Sequence, residues 1–70
     1  MSMKREALVS FRGERSQTEM AQEYGVSQQA WSAWELGVAT PPPRIMKRLE
    51  QETGIPMETI FFDRFNQENQ

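Results

Sequence analysis

Gln28, Gln29, Ser32 and Ala33 lie on one face of a helical repeat whose opposite face carries Trp31 and Trp34. A glutamine amide is long enough to pair with adenine N6 and N7 in the major groove, which serine and alanine are too short to do. Serine suits almost any base edge or a phosphate, and an alanine methyl packs on a thymine methyl. Taken alone, the two glutamines would be solvated amides. Opposite two inward tryptophans they form a short-chain, uncharged face suited to base-pair edges.

The residues before this face supply the means to aim it. Ser16 followed by Glu19 is a capping-box pattern that starts a helix over Gln17–Tyr24, with Met20, Ala21 and Tyr24 on its inner face. Gly25 ends that helix, Val26 turns into the core, and Ser27 caps a second helix over Gln28–Leu36, which Gly37 stops. Trp31 and Trp34, at i and i+3, read as core beside Met20, Tyr24 and Leu49 and not as base-stacking residues. Two short helices joined by a tight turn, the second presenting a polar face, predict a DNA-binding helix-turn-helix.

Elsewhere the pattern is helical too. Residues 4–11 read as a first helix with Leu8 and Phe11 inward, ended by Gly13. Val38–Pro43 must be extended, because consecutive prolines cannot join a helical ladder. A fourth helix begins at Pro42 or Pro43, carries Ile45, Met46 and Leu49 inward, and ends at Gly54. Pro56 starts a short fifth helix with Met57, Ile60 and Phe61. The expected architecture is all-α, a compact bundle of about five short helices in one domain over 1–65, with 66–70 a frayed polar tail.

At 70 residues the chain has room for one small domain. With neither cysteine nor histidine it offers no disulfide and no ordinary zinc site, so no metal and no cofactor is expected. No Gly-rich phosphate loop or nucleophile–base pair points to an enzyme. Nothing approaches membrane-spanning length, and a cytoplasmic location is expected. The net charge of −2 and pI near 5.0 run against the basic balance of most DNA-binding domains. Local charge is the relevant quantity, and Arg12, Arg15, Arg44, Lys47 and Arg48 flank the motif while acids gather elsewhere.

The ordered set Ser16-Gln17, Ala21, Gly25-Val26-Ser27, Trp31, Trp34, Glu35, Gly37 and Pro41 resembles the lambdoid repressor and Cro family, also called the Xre family. Arg12 upstream and Gly54-Ile55 downstream extend the resemblance over roughly residues 4 to 62. It implies a lambda-repressor-like bundle that binds double-stranded DNA. It implies that Gln17, at a helix N-terminus, meets a phosphate and supports Gln28, and that Arg12 and Glu35 form a structural ion pair. Ser27, Thr40, Arg44 and Lys47 complete the expected backbone contacts. One departure stands out. Family members commonly place cations on the loop after the recognition helix, where this chain has Leu36, Val38, Ala39 and Thr40. Arg44 is the best substitute.

Phe62 and Phe65 have no obvious home in so small a core and read as a homodimer interface. The leading expectation is therefore a prokaryotic or phage-type transcriptional regulator acting as a dimer on a palindromic operator. The alternative is a protein-interaction module on the same fold, with a toxin or an anti-repressor as partner.

Overall fold

A computed structural model describes residues 4–65, and the expected tail over 66–70 lies outside them. Among the described residues there are six helices and no strand: α1 Glu6–Arg12, α2 Gln17–Tyr24, α3 Gln28–Leu36, α4 Pro43–Thr53, α5 Met57–Ile60 and α6 Phe62–Phe65. The bounds of α2 and α3 are those expected, because local chemistry sets them. Ser16 Oγ accepts the Glu19 N–H at 3.0 Å while Glu19 Oε1 accepts the Ser16 N–H at 2.8 Å. Ser27 Oγ accepts the Ala30 N–H at 3.1 Å, and a cap of this kind is worth about 1 kcal/mol. Gly25 and Gly37 close the two helices at φ of 68° and 76°, left-handed geometry that a residue with a Cβ resists.

α1 starts two residues later than expected. Arg5 holds an extended backbone, and its N–H reaches across to the Glu35 carbonyl at 2.7 Å instead of entering a helical turn. The expected single fifth helix is divided. At Phe61 the backbone leaves helical geometry (φ −109°, ψ 43°), which keeps the Phe61 ring in the core and turns Asp63 onto Arg5.

Trp31, Phe61, Leu8, Met20 and Leu49 are fully buried, joined by Ala21, Tyr24, Trp34, Ile45 and Ile60. The Trp31 ring centre lies 5.3 Å from that of Tyr24 and 5.7 Å, edge-on, from that of Trp34. α2 and α3 pack together most extensively, and α1 packs against α3. The outward face of α3 is thus set by how deeply its inward face is held. Trp31→Ala would remove the centre of that packing, at a cost of about 3–5 kcal/mol.

Candidate nucleic-acid interface

The outward face of α3 is supported from beneath by a buried carboxylate. Glu35, on the inward side of α3, is 3% exposed. Its oxygens accept from Arg12 Nε at 2.6 Å and Nη2 at 3.2 Å, from Gln17 Nε2 at 2.9 Å, and from Trp31 Nε1 at 2.6 Å. Burial pushes this carboxyl up, but the bonds from Arg12, Gln17 and Trp31 together outweigh it and hold it below the ordinary carboxylate range. Glu35 stays ionised, and its charge is spent inward, away from any phosphate.

Gln17 passes this order to the surface. Its Oε1 accepts from Gln28 Nε2 at 2.6 Å. Because Gln17 donates to a carboxylate, its oxygen is turned toward Gln28, and Gln28 must present its amide nitrogen to it. That leaves Gln28 one N–H and its carbonyl oxygen, the donor–acceptor pair that adenine N7 and N6 require. Gln29 is exposed on the same helix, while Ser32 and Ala33 are half-buried. Two of the remaining expected contacts are already engaged: Ser27 Oγ caps α3, and Thr40 Oγ1 accepts from Arg5 Nη2 at 3.3 Å.

The cations divide differently from the sequence expectation. Arg48 is held by Glu52 at 2.8 Å and Glu23 at 3.3 Å, with its guanidinium 4.0 Å from the Tyr24 ring centre. Tyr24 donates to Glu52 at 2.6 Å, which, with Arg48, keeps the Glu52 carboxyl low. Arg48 therefore ties α4 to the end of α2. Arg15 folds back on α1, donating to the Phe11 and Arg12 carbonyls. Arg44 is exposed and, among the described residues, makes no ion pair. Lys47 is 62% exposed and 3.5 Å from Glu50.

Arg5 is the residue that sequence reasoning does not single out. It is buried, and it donates from Nε and Nη2 to Asp63 at 3.0 and 2.9 Å and from Nη1 to the Trp34 and Ala39 carbonyls at 3.0 and 2.6 Å. Its guanidinium also sits 5.0 Å from the Phe61 ring centre. The one signal in the sequence is a cation just before the first apolar stripe, which reads equally well as solvated. Phe62 and Phe65 are 60% and 48% exposed on α6, and Leu36 and Val38 are exposed beside the loop after α3.

Among the described residues no group of three or more acids converges as a metal would need, and no helix is long and apolar enough to cross a membrane. A helix-turn-helix family model matches residues 6–60. Comparison with curated proteins and with solved structures gives no match. The family match spans most of the chain, which belongs to the Xre, lambda-repressor-like helix-turn-helix family, and it is a DNA-binding regulator of that type.

Proposed function

We propose that this Xre-type protein is a sequence-specific transcriptional regulator whose α3 reads the major groove through Gln28, Gln29, Ser32 and Ala33. The observation that carries the reading is the Glu35–Gln17–Gln28 relay, which fixes the orientation of a surface amide from a buried carboxylate. Pre-orientation lowers the entropy lost when that amide meets a base. Gln17, Ser27, Thr40, Arg44 and Lys47 meet the sugar–phosphate backbone on this reading, with Arg44 the principal cation.

One recognition helix reads too few base pairs to be selective. The exposed Phe62 and Phe65 support a two-fold dimer built on α6, whose recognition helices would lie about 34–36 Å apart on a near-palindromic operator. Selection of bound sequences from a random DNA pool tests the whole reading. Two inverted half-sites one helical turn apart are expected, and Gln28→Ala should cost about 1–3 kcal/mol of discrimination at one position in each. A folded protein that enriches no sequence would overturn it. That outcome favours the second reading, a protein partner on the exposed Leu36 and Val38. Sedimentation of the parent and of a Phe62→Ser, Phe65→Ser double variant tests the dimer, which a parent monomeric both free and on DNA would rule out.

A further inference from the structure

Thr40, in the loop after α3, and Asp63, on α6, are far apart in sequence, yet they share one nitrogen. Arg5 Nη2 donates to Asp63 Oδ2 at 2.9 Å and to Thr40 Oγ1 at 3.3 Å. The same guanidinium holds the Trp34 carbonyl at the end of α3 and the Ala39 carbonyl in the loop that follows. The Arg5 N–H adds the Glu35 carbonyl. Within that loop the Val38 and Ala39 N–H groups both turn back to the Ala33 carbonyl, at 3.0 and 3.3 Å. We propose that Arg5, held by Asp63, is a positioning residue for DNA binding, shaping the 37–40 loop so that α6 governs DNA affinity without touching DNA.

The chemistry is directional. Arginine has donors only, so Thr40 Oγ1 acts as acceptor toward Arg5 and its own hydroxyl proton must point elsewhere. A phosphate oxygen beside the loop is a natural acceptor for it. This matters more here than in a loop with lysines, because Leu36, Val38 and Ala39 provide no charge and the loop's own share of binding rests on where its backbone and Thr40 sit. Asp63 fixes the guanidinium through both its oxygens, so the plane of the fork, and with it the direction of the Thr40 bond, is set from α6. The proposal rests on the DNA reading above.

The test compares the full chain with Asp63→Asn and Asp63→Glu, using amide hydrogen exchange on the free protein and DNA binding over a range of salt. Asp63→Asn keeps one acceptor but loses the charge and the fork. Its Val38 and Ala39 amides should exchange about tenfold faster while those of Met20 and Ala21 keep the parent rate. Its affinity for selected and unselected DNA should fall alike, by about tenfold, with the log–log salt slope unchanged, because no cation is withdrawn from a phosphate. Asp63→Glu, which restores the carboxylate, should recover most of both effects. Loop exchange at the parent rate overturns the proposal, and so does faster loop exchange with DNA affinity unchanged. Uniformly faster exchange across all helices makes Arg5 a purely structural staple and overturns it as well. A parent that binds no DNA defeats the underlying reading instead, and the loop exchange distinguishes the two failures.

Discussion

Two arginine–carboxylate pairs hold this domain together, and they are mirror images in burial. In Arg12–Glu35 the carboxylate side chain is 3% exposed and the arginine 24%. In Arg5–Asp63 the arginine is 3% exposed and the carboxylate 24%. The difference lies in what each buried group can do when its partner leaves. A buried carboxyl can take up a proton and become neutral, whereas a guanidinium cannot lose one. Glu35 can accordingly rely on one arginine and two neutral donors. Arg5 needs acceptors that do not titrate, and it has them in the carbonyls of Trp34 and Ala39 and the hydroxyl of Thr40.

The comparison is broken most directly at Arg12. Arg12→Ala leaves Glu35 buried without a cation and should destabilise the domain by about 3–5 kcal/mol near neutral pH. Urea denaturation should show the loss shrinking near pH 4, because a protonated Glu35 no longer needs a countercharge. A loss equal at both pH values would contradict the account of Glu35 as a group that escapes by protonation.

Acidification of the parent probes both pairs at once. The bond from Arg5 holds Asp63 below its ordinary range, and Glu35 is held low as described. Both groups are thus depressed in the folded state, and as pH falls the unfolded chain binds protons first. Their stabilisation is full above the unfolded values of about 3.9 and 4.3 and is lost as pH drops through the lower folded values. The urea midpoint should therefore fall between pH 5 and 3, and less steeply in Glu35→Gln, where Asp63 alone remains of the two. An unchanged slope in that variant would remove Glu35 from the acid response.

Smaller effects sharpen the picture. Trp31→Phe keeps one of the two fused rings, opens a small cavity and withdraws one donor from Glu35, and should cost about 2–3 kcal/mol in thermal or urea unfolding. Arg48→Ala is the exposed control. Its ion pairs with Glu23 and Glu52 lie at the surface, so their loss together with the Tyr24 contact should stay under about 1 kcal/mol and diminish in salt. If Arg48→Ala rivalled Arg12→Ala, burial would not be what separates these pairs.

The two helices of the central motif were legible because their ends are chemical and local. Ser16 and Glu19, Gly25, Ser27 and Gly37 each act within four residues of where they stand, and the bounds of α2 and α3 follow from them. The inward tryptophans followed from spacing alone. The break at Phe61 was not legible, since Ile60, Phe61, Phe62 and Phe65 read equally well along one helix. It arises because Phe61 is drawn into the core while Asp63 is drawn to Arg5.

The sequence by itself determined the helices, their inward faces and the polar character of α3, since periodicity and capping are properties of neighbouring residues. Which cations remain for a phosphate was decided only by the tertiary structure. Arg48 meets an acid 25 positions away and Arg5 one 58 positions away, and those encounters exist only once the helices converge. Local pattern assigns every exposed charge to solvent. Ion pairing acts through space, so folding took Arg5, Arg12 and Arg48 into the scaffold and left Arg44 and Lys47 exposed on α4.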